Sequence, residues 1–175
     1  TLGGNIANAS PVADLAVLLL ALDASLVIKG EAGERTQALS TFYTGYHRTA
    51  LAHDELITRI RIPRNTNGAR LHVEKVAKRE HDDIASVNSA FCVLPGPAGR
   101  FGQIRFSAGG VAPCPLLLSR TADVFVGKPL HADSVRAALQ VLPTEISPID
   151  DSRGSAHYKQ QLLQHLLVAH VTTLF

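Results

Sequence analysis

Residues 15–22 read Leu-Ala-Val-Leu-Leu-Leu-Ala-Leu, eight apolar side chains in a row with no charge until Asp23. The run is far too short to cross a bilayer, which takes ~20 such residues. It is also too apolar to lie on a surface as a one-sided amphipathic helix. It has to be buried on most of its faces, so the rest of the chain must enclose it. Ser10-Pro11 is a strong helix start: the serine oxygen accepts from unpaired N–H groups, and proline at the first helical position loses nothing. The helix is therefore expected to begin there and to run through Val12, Ala13 and Asp14 into the apolar stretch.

Beyond Asp23 the pattern is mostly that of strands. Ser25–Gly30 and Arg35–Leu39, joined by a turn at Glu31–Glu34, read as a hairpin. Glu55–Pro63 alternates polar and apolar residues and stops at a proline, the pattern of a half-buried strand. Arg64–Ala69 reads as a linker. Strands are expected again at His72–Ala77, Ile84–Leu94 and Gln103–Ala108, with Gly109-Gly110 closing the sheet. Helices then take over at Ser119–Val126, Asp133–Leu142 and Ser155–Leu174. In the last of these the inward stripe is read as Tyr158, Leu162, Leu166, Leu167, Val171 and Leu174. The expected fold class is α+β: an antiparallel sheet with a buried helix, then a small antiparallel sheet packed with helices. The division is placed at residues 1–66 and 67–175.

Composition removes several functions. The formal net charge is +2, and the short basic stretch Lys75–Arg79 is answered at once by Glu80, Asp82 and Asp83. A nucleic-acid partner would need a concentrated basic face, so none is expected, and no membrane partner either. The two cysteines, Cys92 and Cys114, form no C-x-x-C, so this chain alone builds neither a zinc ribbon nor an iron–sulfur cluster. A reduced, cytoplasmic setting fits them best. His157, His165 and His170 share the last helix without the spacing that puts two on one face, so they read as surface or satisfied core residues. No G-x-G-x-x-G, P-loop or G-x-S-x-G element is present. The chain contains no methionine, which leads to the expectation that it is a piece of a longer protein.

Three places could carry chemistry. Thr1-Leu2-Gly3-Gly4-Asn5 reads as a turn whose glycines admit positive φ and close approach of backbone N–H groups, with Asn5 adding an amide. On spacing alone it is an ordinary turn feeding a helix. Asp14 opens the apolar helix, where a carboxylate suits the dipole and could also accept from the hydroxyls of a sugar or polyol. Lys75–Ile84 is a ten-residue stretch with seven ionisable side chains. Most of it reads as a solvated loop, but Lys75 precedes the loop within a strand and could offer its charge to an electron-rich ring.

Taken in order, these segments resemble one family. Thr1–Pro11 with Asp14 looks like the second flavin-binding segment of the xanthine dehydrogenase group, the molybdenum hydroxylases. Phe42–Thr49, Asp54–Ile57, Ile60–Pro63, Lys78–Ala85 and Phe106–Ala112 resemble the later stretches of the same unit there. The charged loop is more similar to the xanthine dehydrogenase branch than to the carbon monoxide dehydrogenase branch. The resemblance implies the second half of an FAD-binding domain plus the C-terminal flavoprotein subdomain, with a glycine-rich pyrophosphate loop lying upstream. It implies an oxidoreductase that passes electrons from molybdopterin through two [2Fe-2S] clusters to FAD, and from FAD to NAD or oxygen. The clusters and the molybdopterin sit on partner subunits or domains, where the substrate is chosen. It further implies FAD contacts from Thr1, Gly4, Asn5, Asn8, Ser10 and Asp14, with Ile57 near the ring system, Lys75 beside the isoalloxazine and Asp82 alongside it. No residue here is expected to make or break bonds, and the isolated stretch is expected to be inactive. The competing reading is a scaffold or docking module that binds no FAD in this form.

Overall fold

The computed structural model describes residues 1–64, 68–129 and 131–174. Two short helices open it, α1 (Leu2–Ala7) and α2 (Asp14–Ala21). The strands β1 (Ser25–Gly30) and β2 (Gly33–Ala38) form a hairpin, and β3 (Tyr43–Gly45) and β4 (Arg48–Thr49) a small ribbon. The next strand, β5 (Leu56–Arg61), pairs with β1, giving a three-stranded antiparallel sheet ordered β2-β1-β5. A four-stranded antiparallel sheet comes next, in sequence order: β6 (Arg70–Ala77), β7 (Ala85–Pro95), β8 (Phe101–Gly109) and β9 (Leu116–Leu117). Then come α3 (Ser119–Asp123), α4 (Ala132–Val141) and α5 (Ala156–Leu174). The α+β class, the first hairpin, the main strands of the three- and four-stranded sheets and the closing helices are as the sequence led one to expect. The ribbon β3-β4 is not, and β9 extends the second sheet beyond Gly109-Gly110, its expected end. The expected linker falls largely on residues 65–67, which lie outside the described residues.

Two corrections concern the N-terminus. Thr1–Asn5 is not a turn: it is the first turn of α1, with the Thr1 hydroxyl accepting from Gly4 N at 3.0 Å. Neither Gly3 nor Gly4 has positive φ. The second helix begins at Asp14 rather than Ser10-Pro11, its N-cap being Ala13 with no side-chain cap. Ser10 caps a local turn instead, its carbonyl accepting from Ala13 N and its Oγ from Val12 N.

The apolar run is enclosed as its composition demands, but by both sheets. Leu19 and Leu20 pack with Ile6, Leu26, Ile28, Leu39 and Phe42 on the first sheet. Val17 and Ala21 pack on Ala90 and Cys92 of the second. Side chains alternate across a strand, so β7 presents Asn88, Ala90 and Cys92 to α2 and Val87, Phe91 and Val93 to the main core with α5. Every residue from Ala85 to Val93 is buried.

The inward stripe of α5 also differs from the expected one. It runs Lys159, Leu163, Leu166, Leu167, His170, Val171 and Leu174, while Tyr158 is exposed. Two polar residues lie on the core side, and both are satisfied. Lys159 Nζ reaches Asp151 Oδ2 at 2.6 Å and Ile149 O at 3.0 Å. His170 lies between Ser89 and His72, with Ser89 Oγ 2.7 Å from Nε2 and His72 Nδ1 2.9 Å from Nδ1.

Candidate functional site

Most of the predicted site residues fall into two groups. Asp14, at the first turn of α2, accepts from Lys75 Nζ at 2.7 Å through Oδ2 and from Asn88 Nδ2 at 2.5 Å through Oδ1. Asn88 also donates to Val12 O at 3.3 Å. The N-terminal segment is thus tied to adjacent strands of the second sheet, where Lys75 and Asn88 are register partners. Asp14 and Lys75 are both about half exposed, at 48% and 40% of their side-chain surface, so the pair borders open space.

That geometry rests on Gly109. A Cβ there would overlap Asn88 Oδ1 and lie 2.7 Å from Pro11 O and 3.0 Å from Val17 Cγ2. Gly110 N meanwhile donates to Pro11 O at 2.8 Å, with Gly110 at φ +80°. Gly109→Ala is expected to cost about 3 kcal/mol by overpacking, read as a fall in the urea midpoint at unchanged slope. A loss below about 0.5 kcal/mol would contradict this close packing.

The second group lies along α1 and the segment after it. Thr1 and Gly4 form the capped first turn, and a Cβ at Gly4 would press to 3.0 Å from Thr1 Oγ1. Nothing lies within 4 Å of a Cβ at Gly3, so the backbone there is open to approach. Asn5 Oδ1 is buried without a hydrogen-bond partner, as are Asn88 Oδ1 and the Tyr43 hydroxyl. A buried acceptor without a donor is costly, and Asn5 beside open backbone suits a ligand that brings one. Asn8 O meets His47 Nδ1 at 2.6 Å. Ser10 lines a cavity of about 460 Å³ with Pro11, Val12, Tyr46, Ile84, Ile149 and Arg153.

The other two predicted residues stand apart. Ile57 is half-buried against the first-sheet core, in the same cluster as Ile6. Asp82 is exposed at a left-handed backbone position, φ +50°. Its neighbour Asp83 is the fixed member of the charged loop. Burial pushes that carboxyl up, but hydrogen bonds from Ile84 N, Arg153 and Arg79 N outweigh it and hold it at about 2.

Asn88 and Arg153 were not singled out from the sequence. Asn88 left one signal, an amide in the middle of an apolar strand run, where a buried polar group needs partners. Arg153 left none, because its partner Asp83 is 70 residues away. Among the described residues no group of three or more His, Cys, Asp or Glu could hold a metal ion, and no helix is long and apolar enough to cross a membrane.

Known proteins share the segments and the fold. Residues 1–65 match the FAD binding domain in molybdopterin dehydrogenase, and residues 73–174 match the CO dehydrogenase flavoprotein C-terminal domain. The chain is 35% identical to nicotinate hydroxylase hnxS of Emericella nidulans over 95% of its own length and 13% of that protein's. It is 31% identical to the glyceraldehyde dehydrogenase medium chain of Sulfolobus acidocaldarius, over 95% of this chain and 58% of the other. A solved carbon monoxide dehydrogenase from Hydrogenophaga pseudoflava, lacking the Mo-pyranopterin moiety, superposes with a TM-score of 0.90 at 30% identity, over 95% of this chain and 57% of that one. The chain therefore spans little more than half of its medium-chain relatives and a small part of the largest ones. With two family models matched in sequence order and the fold shared with a solved relative, the chain belongs to the FAD-binding flavoprotein family of the molybdenum hydroxylases.

Proposed function

We propose that this chain is the FAD-binding part of a xanthine dehydrogenase-like oxidoreductase, taking electrons from iron–sulfur clusters and giving them to NAD or oxygen. In this reading residues 1–66 complete the FAD domain and 67–175 form the C-terminal flavoprotein subdomain. The partners are iron–sulfur and molybdopterin-binding subunits or domains. The two free cysteines, Cys92 and Cys114, suit a reducing cytoplasm. The observation that carries the reading is the junction of Asp14, Lys75 and Asn88, which joins the segment matched to an FAD domain to the strand that leads into the charged loop.

FAD, when bound, supplies the one- and two-electron chemistry. The chain's own residues bind and tune it. Thr1 and Gly4 would form the capped turn that leaves the backbone open at Gly3, and Asn5 would offer its unpaired amide oxygen, with Asn8 and Ser10 continuing the wall. Asp14 would accept from hydroxyls, keeping Lys75 beside it as a cation that favours a reduced, negatively charged ring. Ile57 would give an apolar contact, and Asp82 a negative charge opposing Lys75.

The test is to express the complete flavoprotein and measure flavin per chain and its reduction by NADH. One yellow, NADH-reducible flavin per chain is expected. A colourless protein that releases no flavin on denaturation and fails to quench added FAD would favour a docking module instead.

A further inference from the structure

The charged loop after Lys75 should be loose, because surface ion pairs alone fix little: each is worth about 0–1 kcal/mol. It is nevertheless tied at several points to one distant turn. Asp83, whose side chain is only 6% exposed, accepts from Arg79 N at 3.0 Å, from Ile84 N at 2.8 Å and from Arg153 Nη1 at 3.0 Å. The same Arg153 nitrogen reaches Ile84 O at 3.3 Å. Lys78 Nζ donates to Ser152 O at 2.6 Å, and Ser86 Oγ to Arg153 O at 2.9 Å. These bonds join residues 78–86 to residues 152–153 without any shared strand.

The turn is itself anchored. Asp151 and Gly154 bridge back to back, and Arg153 N donates to Asp151 Oδ1 at 2.8 Å. The anchor is Lys159, 2% exposed in the core face of α5, its ammonium on Asp151 Oδ2 and Ile149 O. A leucine at 159 would extend the apolar stripe of α5 and avoid the cost of taking an ammonium out of water. What the lysine gives instead is a fixed place for the turn that carries Arg153.

We infer that Arg153 is a positioning residue for the flavin site: through Asp83 it clasps the charged loop and so holds Asp82 in its left-handed conformation beside the path from Lys75, with Lys159 as the anchor of the clasp. The inference rests on the flavin reading above. Both contacts come from the single nitrogen Nη1, held in place by a planar guanidinium that stays charged at any working pH.

Arg153→Ala, Arg153→Lys and Asp83→Asn in the complete holoenzyme test it. Flavin content should stay at one per chain in all three. In Arg153→Ala the flavin midpoint potential should rise, because a released Asp82 no longer holds negative charge near the ring. The KM for NADH should increase about fivefold with kcat within about twofold. Amide hydrogen exchange over residues 78–84 should quicken about tenfold even in the apoprotein. Arg153→Lys should recover part of each change, and Asp83→Asn should reproduce them if Arg153→Ala fails to assemble. Faster exchange with unchanged potential and KM would reduce Arg153 to a structural tie and overturn the inference. Unchanged exchange would show that there is no clasp. A wild-type holoenzyme without flavin would instead remove the flavin reading itself, with the exchange result still deciding the clasp.

Discussion

Replacing Asp14 by alanine in the complete flavoprotein should weaken FAD binding by about ten- to a hundredfold, while the folded state loses only about 1–2 kcal/mol. The two magnitudes come from different places. As a structural tie, Asp14 pairs with a lysine whose side chain is 40% exposed, worth at most about 1 kcal/mol, and its bond from the buried Asn88 amide adds about 1 kcal/mol more, because Val12 O remains as a second acceptor. As a site residue, Asp14 is a charged acceptor, and hydrogen bonds to charged groups are worth about 1.5–3 kcal/mol, which is about ten- to a hundredfold in affinity. Its loss also frees Lys75 and leaves Asn88 Nδ2 with Val12 O as its remaining acceptor. Asp14→Asn keeps an oxygen for Asn88 and should fall between the two. Quenching of flavin fluorescence gives the affinity, and a urea melt of the same proteins gives the stability. An affinity change under about twofold alongside a normal melt would take Asp14 out of the site. A loss of several kcal/mol would mean that it acts through folding.

How far the sequence carried depended on whether a signal was local. The strands were legible because alternation and turn residues are local, and each predicted strand lies within a few residues of the observed one. The start of the apolar helix was not. Ser10-Pro11 has the chemistry of an N-terminus, but Ser10 and Pro11 are taken up in holding Ala13 N and Gly110 N, and the glycine is 99 residues further on. The Gly3-Gly4 pair was read as a turn because glycine permits one. Thr1 caps it into a helix, Gly4 leaves clearance for the Thr1 hydroxyl, and neither glycine has positive φ. The binding segment and the charged loop were located by resemblance, whereas their link through Asn88 and the clasp through Arg153 are long-range pairings that no local pattern encodes. The face of α5 was misread for a related reason. Periodicity counts apolar residues, and this helix places a lysine and a histidine inward because other elements supply their partners.

That inward histidine gives the second large expectation, a loss of stability between pH 6.5 and 4.5. His170 is fully buried between β7 and the Phe91 and Phe106 rings. Burial first, and the neighbouring His72 second, bring its pKa down from 6.5 to about 3. The bonding explains why the neutral form fits. Glu74 Oε1 lies 3.2 Å from His72 Nε2, so that nitrogen carries the proton. His72 Nδ1 can then accept from His170 Nδ1–H, leaving His170 Nε2 to accept from Ser89. A proton added at His170 Nε2 would face the Ser89 hydroxyl proton, so Ser89 would have to turn to another acceptor, and one added at His72 Nδ1 would face His170 Nδ1–H across 2.9 Å. Because the folded value lies below the unfolded one, the unfolded chain binds the extra proton throughout the interval. The contribution is complete above pH 6.5 and is lost as pH falls towards 3, at about 1.4 kcal/mol per unit for one proton. Between pH 6.5 and 4.5 that is about 2–3 kcal/mol. This upper window belongs to the histidine, because Glu55 and Asp83 are held at about 2 and begin to destabilise only once pH approaches the ordinary carboxylate range. Urea midpoints at half-unit steps would give the slope, and His170→Gln, which keeps a side-chain donor and acceptor in the core, should flatten it across that window. A wild-type slope near zero from pH 6.5 to 4.5, or an equal slope in His170→Gln, would assign the acid sensitivity to other groups and leave the buried pair without effect on folding.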